Sequence, residues 1–183
     1  MNRSIWQSML CVPVLAAAPS PAVAKDYLTV AQAQHALVPQ ADKFIPYPIT
    51  LTQEQIKAIR QIAKVPQRTA KPTIAKAMAG GRHVGWLIVD EVIGKHEFIT
   101  YATAISPDGH VLGMEILSYR ETKGGQVRNA KWRGLFKSKT LQDPFKLNKD
   151  IANISGATLS CRNLTDGVKR LLAIHSVALA KAG

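Results

Sequence analysis

Three hydroxyl side chains stand within six residues near the C-terminus, in Ser155-Gly156-Ala157-Thr158-Leu159-Ser160. Gly156 and Ala157 between them let a backbone come close to a bulky group. The segment opens an amphipathic pattern from Leu159 to Ala180 that predicts a long helix, with Leu164, Val168, Leu171, Leu172, His175 and Leu179 on one face. A small-residue turn feeding a helix sets hydroxyls beside N–H groups that have no partner within the helix, at the positive end of its dipole. That chemistry suits an anion, phosphate first. Taken alone, Thr158 reads first as an ordinary N-terminal helix residue that satisfies its own backbone, while Ser155 and Ser160 read equally as caps or as phosphate donors. Arg162 and Lys169 are either phosphate-neutralising or part of a solvated basic face.

Other reactive residues are arranged less productively. None of His35, His83, His96, His110 and His175 has a metal-ligand spacing; His96, after Lys95 in an expected hairpin turn, and His110, after a turn glycine, are expected on the surface. Asp90 and Glu91 are adjacent, so a strand would point them to opposite faces and they make a poor acid–base pair. Trp86 and Trp132 are expected in the core. Cys161 is expected to be a small packing residue. There is no Cys-x-x-Cys-His for haem attachment, no dinucleotide fingerprint and no nucleophile–base pair.

Several elements must position the hydroxyl cluster. Tyr27–Leu37 has a helical pattern with Thr29 as N-cap and Pro39 as a stop. Thr52-Gln53-Glu54-Gln55 is a capping box before a second helix, which ends ahead of Pro66. Residues 67–81 are small, polar and basic, and are expected to form a connection with one helical turn near Ala75. Val84–Val89 predicts a strand. Phe98–Ile105 alternates, with Ile99, Tyr101, Thr103 and Ile105 on one face. Ser106-Pro107-Asp108-Gly109 is a turn, and Val111–Leu117 returns from it. Residues 129–136 predict a short basic helix carrying Trp132. The fold class is therefore α+β: an antiparallel β-meander packed with flanking helices and a long C-terminal helix.

The 183 residues suffice for one core, with 46% hydrophobic and 20% charged residues as in a soluble globular protein. The N-terminus reads as a secretory signal peptide over 1–24. Arg3 forms its basic region, Ile5–Ala18 its apolar stretch and Ala22-Val23-Ala24 its cleavage site, so Cys11 would be removed. Residues 25–82 are then expected to be an N-terminal helical layer and connection, and 83–183 the main domain. The formal charge is +12. Such a charge suits an anionic membrane surface, an acidic partner or an anionic cofactor. Export and the lack of a nucleic-acid fold signature argue against nucleic acid.

Over about residues 80–180 the chain resembles the FMN-binding domain family, which includes flavin-carrying subunits of membrane redox complexes. Three parts carry the resemblance. One is the meander with its Pro-Asp-Gly turn, Gly113 and Glu115. The second is Glu121-Thr122-Lys123-Gly124-Gly125, which looks like a Glu-Thr-Pro-Gly loop with Lys123 in place of Pro. The third and specific one is Ser155-Gly156-Ala157-Thr158. The resemblance implies an FMN cofactor esterified through its phosphate to Thr158 by a separate flavin transferase. It also implies contacts with the flavin from Ser155, Gly156, Ala157, Leu159 and Ser160, and from Glu121, Thr122, Gly124 and Gly125. Lys123 or Arg128 would favour the reduced flavin. The chain departs from the motif at Ala152, where the family carries Asp; Asp150 is the nearest carboxylate upstream. The implied protein is an exported, periplasmic or extracytoplasmic electron carrier working with a membrane-embedded or acidic redox partner. A flavin-dependent reductase and a non-covalent flavin-binding module are the alternatives.

Overall fold

The computed structural model describes residues 25–121 and 124–182. The expected signal peptide and Cys11, and the loop residues Thr122 and Lys123, lie outside them.

Among the described residues six strands form one antiparallel sheet in the order β1-β6-β5-β4-β3-β2. They are β1 Lys25–Asp26, β2 Lys43–Pro46, β3 Thr73–Ala79, β4 Arg82–Ile93, β5 Phe98–Ile105 and β6 Val111–Tyr119. The helices are α1 Val30–Leu37, α2 Gln53–Ala63, the single turn α3 Ala130–Arg133 and α4 Thr158–Ile174. Short 3₁₀ turns flank α3 on both sides, and α4 runs on into a π-helical turn, His175–Leu179. The α+β meander and long C-terminal helix stand as predicted.

Residues 67–81 differ from expectation. Their second half is not a connection with a helical turn but strand β3, paired with β4 from Thr73↔Val89 to Ala79↔Arg82. The small residues that suggested a turn pack closely on a sheet, and Ala77 is fully buried. The neighbouring strand accounts for β3, since local β-propensity is a weak guide.

Strand alternation builds two apolar layers. Ile88, Ile99, Tyr101, Ile105, Met114 and Ile116 face α2 and α4. Leu87, Ala102, Ala104 and Leu117 face α1, which contributes Ala33 and Leu37. The alanines leave room for α1, and Gly113 lies close beneath it: a methyl there would lie 2.8 Å from Leu37 Cδ2, so that side chain would have to shift.

Both small helices cap themselves. The Thr29 and Thr52 hydroxyls accept from the N–H of Gln32 and Gln55, and those glutamine side chains accept from the cap N–H in return. The predicted Ser106–Gly109 turn closes with Gly109 N donating to Ser106 O at 3.0 Å, Gly109 taking φ +90°.

α4 is held to the sheet by apolar burial and by one buried ion pair. Arg170 donates to Asp90 Oδ2 from Nη2 at 2.5 Å and Nε at 3.1 Å, and to Pro66 O at 3.3 Å. The Tyr101 hydroxyl donates to the same carboxylate oxygen at 3.1 Å, and its pKa is pushed well up by burial and then by Asp90. Asp90 and Glu91 do diverge: Glu91 accepts from the Thr100 hydroxyl on the other face.

Candidate flavin site at the N-terminus of α4

Ile154 to Ala157 form a tight turn, with Ala157 N donating to Ile154 O at 2.9 Å. Gly156 takes φ +79°, a conformation L side chains rarely adopt. The turn delivers the chain into α4 at an N-cap that is Ala157, with no side-chain cap and no acidic residue in the first turn. The first N–H groups of the longest helix therefore have no side chain serving them. Thr158 and Leu159 are exposed there, Leu159 at 43%.

A cavity of about 340 Å³ opens at this point, lined by Lys95, His96, Glu121 and Gly156–Ser160. Three chain segments meet around it: the β4–β5 hairpin tip, the end of the stretch after β6, and the 155–160 turn. The loop after β6 packs directly on the turn, since a methyl on Gly124 (φ +82°) would lie 2.9 Å from Ala157 Cβ and 2.8 Å from Tyr119 Oη. Glu121 Oε1 accepts from His96 N at 2.5 Å and Glu97 N at 2.9 Å. Burial raises the pKa of this carboxyl, but the N–H groups of Glu97, His96 and Lys95 outweigh it and hold the value below the usual carboxylate range.

The predicted residues divide accordingly. Gly156, Ala157, Thr158, Leu159, Ser160 and Glu121 share the cavity wall. Ser155, Gly124 and Gly125 stand outside it: Ser155 is exposed on the turn, Gly124 is buried behind Ala157, and Gly125 O accepts from Arg128 Nε at 3.1 Å. Ser160 is 4% exposed and shares a hydrogen bond with the Tyr119 hydroxyl. Arg128 stacks over the Tyr27 ring at 4.1 Å. Arg162 lines a separate cavity with Phe145 and Lys146.

Lys95 and His96 are wall residues that the motifs do not announce. His96 is exposed as expected, but a hairpin turn puts it on this wall, and their only sequence signal is the turn itself. Cys161 is fully buried with its thiol pushed up by burial, as a packing residue should be. Trp132 is core too: it meets Phe136 edge-on, and its Nε1 donates to Ala152 O at 2.7 Å, pinning the segment that leads to the turn.

Asp150, the nearest carboxylate upstream of the turn, is already engaged. Its oxygens accept from Lys139 Nζ at 2.9 Å, Phe145 N at 3.0 Å and Lys146 N at 2.7 Å. Burial is again outweighed by these donors, and its pKa is lowered.

Among the described residues no helix is long and apolar enough to cross a membrane, and no group of three or more His, Cys, Asp or Glu could hold a metal ion.

Known proteins share this region of the chain. Residues 94–173 match the sequence pattern of the FMN-binding domain family. The chain is 31% identical over 100 residues to one of the subunits of the proton-translocating ferredoxin:NAD(+) oxidoreductase complex of Clostridium ljungdahlii, covering 51% of this chain. It spans about half the length of that curated relative, 54%. Its fold is loosely similar to the crystal structure of Shewanella oneidensis NqrC, with a TM-score of 0.46 and 20% identity over 81% of this chain and 71% of that one. The residues that match that family's pattern, 94–173, run from the hairpin tip to the last turn of α4 and so include the whole cavity wall.

Proposed function

We propose that this protein is an exported electron carrier whose FMN is held at the N-terminus of α4 and joined to Thr158 by a phosphoester. The uncapped start of α4, opening on the cavity wall of Gly156–Ser160, is the observation that carries the reading.

The donor set fits the phosphate. Unserved N–H groups and the helix dipole favour an anion, Lys95 adds a positive charge, and the Glu121 carboxylate is occupied by backbone N–H groups. Thr158 presents its hydroxyl on the exposed first turn, where a transferase can reach it. Attachment forms the Thr158 Oγ1–P bond and breaks the P–O bond to the leaving group of the transferase's donor. The hydroxyl proton goes to a base of that enzyme, so this chain needs none. When bound, FMN supplies reversible uptake of electrons. The chain's own residues bind the phosphate, fix the helix start and leave one side of the site open to a partner.

Electron relay needs only an accessible cofactor and a docking surface. A charge of +12, or +11 once Arg3 leaves with the signal peptide (12 minus 1), favours encounter with an acidic redox protein, which for an exported carrier sits in or at the membrane. The Clostridium relative is a subunit of a redox complex, which supports this role.

The deciding experiment is intact mass with in-gel flavin fluorescence on protein made in a host with an active flavin transferase, wild type beside Thr158→Ala. One added FMN on the wild type and none on the variant is expected. An unmodified wild type would sink the ester and leave dissociable FMN as the reading.

A further inference from the structure

The β4–β5 hairpin tip is the one wall of the flavin cavity that neither the Ser-Gly-Ala-Thr turn nor the loop after β6 supplies. We propose that Lys95 and His96 at this tip form the phosphate-facing wall of the FMN site, and that Glu121 is a positioning residue that clamps the tip in place. The inference rests on the FMN reading above and assigns it residues beyond the motif.

Four observations carry it. First, both tip residues line the same cavity as Thr158, and Lys95 is the only Lys or Arg on its wall among the described residues. Two other cations near the turn serve elsewhere: Arg162 lines another cavity and Arg128 stacks on Tyr27. Second, Glu121 Oε1 takes the N–H groups of His96 and Glu97, 24 or more residues away, so a single carboxylate fixes the conformation of the turn. Third, Gly94 is required for that clamp. A methyl there would lie 2.6 Å from Glu121 Oε1 and 2.9 Å from its Cγ, a distance at which one of them must move. Fourth, the hairpin is tied to α4 from its other side, where Asn163 Nδ2 donates to Ile93 O at 2.7 Å. The tip is thus held between the loop after β6 and the helix whose N-terminus receives the phosphate.

The sign of the Glu121 effect separates two roles. A carboxylate beside a phosphate site that acted only through its charge would repel the ligand, and its removal would tighten binding. A carboxylate that holds a lysine-bearing tip in place does the opposite.

The test is dissociable binding of FMN and of riboflavin, which lacks the phosphate, to full-length protein purified free of flavin, read by quenching of flavin fluorescence. Lys95→Gln should weaken FMN about tenfold while leaving riboflavin within about twofold, as loss of one charge-assisted phosphate contact requires. Glu121→Ala and Gly94→Ala should both weaken FMN about tenfold. Glu121→Gln keeps an oxygen acceptor for the two N–H groups and should bind FMN within about threefold of wild type or tighter. Equal losses for FMN and riboflavin in Lys95→Gln, or none for either, would overturn the phosphate assignment. Glu121→Ala binding FMN as well as wild type or better would overturn the clamp. If Glu121→Ala fails to fold, Gly94→Ala tests the clamp in its place. Wild-type protein that quenches neither flavin would instead remove the site reading, and this inference with it.

Discussion

Thr158 is exposed on the first turn of α4, and the residues before it are shaped by backbone demands: a left-handed Gly156 and a buried Ala157 behind which Gly124 packs. Under the proposed phosphoester attachment a transferase would have to recognise this turn from outside, so the departure at Ala152 bears on that proposal. Ala152 is exposed, and its carbonyl is already fixed by Trp132. A longer side chain at this position would point into solvent without disturbing that bond. Restoring the family's carboxylate, Ala152→Asp, should therefore raise the fraction of flavinylated protein severalfold at limiting transferase, with the thermal midpoint changed by no more than a surface substitution allows. Time-resolved intact mass checks the first expectation and a melting curve the second. An unchanged modification rate would show that the turn alone is recognised.

At the scale of elements, the site depends on how α4 lies against β4 and β5. Gly167 lets the helix approach: a methyl there would meet the Tyr101 hydroxyl and lie 2.9 Å from Val92 Cγ1. Tyr101 is fully buried and tied to Asp90, so it cannot yield. Replacing a mid-helix glycine by alanine ordinarily gains about 1 kcal/mol. Here Gly167→Ala should instead lose about 1–3 kcal/mol from overpacking, measured by urea unfolding. The buried ion pair is the second fastening. Arg170→Met leaves the Asp90 carboxylate without its cation in a largely buried setting and should cost about 3–5 kcal/mol, whereas Arg170→Met with Asp90→Leu should recover much of that loss. A double variant no more stable than the single one would show that the pair's geometry, and not its charge, holds the helix.

For the whole molecule, pH is the informative variable. Burial lowers the pKa of His175, against the opposing pull of the Pro107 carbonyl and Asp108. Burial followed by the Lys76 charge lowers that of His83. In both cases the unfolded chain takes up a proton at a higher pH than the folded one. Stability is complete above the unfolded value, about 6.5, and is lost as pH falls from there through the folded values. Asp150 and Glu121, also depressed, act in a lower window: their contributions are complete above about pH 4 and are lost below it. The thermal midpoint should therefore fall between pH 7 and pH 5 before carboxylates matter. His175→Gln, at a side chain 4% exposed, should flatten much of that first step. A variant whose midpoint falls as steeply as wild type would place the sensitivity elsewhere.

The chain's local signals determined whatever depends on neighbours in sequence. The Thr29 N-cap, the capping box at Thr52, the Ser106–Gly109 turn and the long amphipathic run after Thr158 are satisfied by residues three or four positions away, so they could be read directly. The α+β class and the candidate phosphate end of the flavin site follow from them. What depends on partners far along the chain was decided by the tertiary structure. Strand β3 exists because β4 offers it a ladder; Asp90, an unpromising neighbour of Glu91, gains Arg170 from 80 residues away. Glu121 spends its carboxylate on a hairpin that no spacing announces, and Lys95 and His96 come to the cavity only because the β4–β5 turn folds onto the start of α4. Local hydrogen bonding is written in short-range order, but burial and charge pairing are settled by which distant surfaces come together.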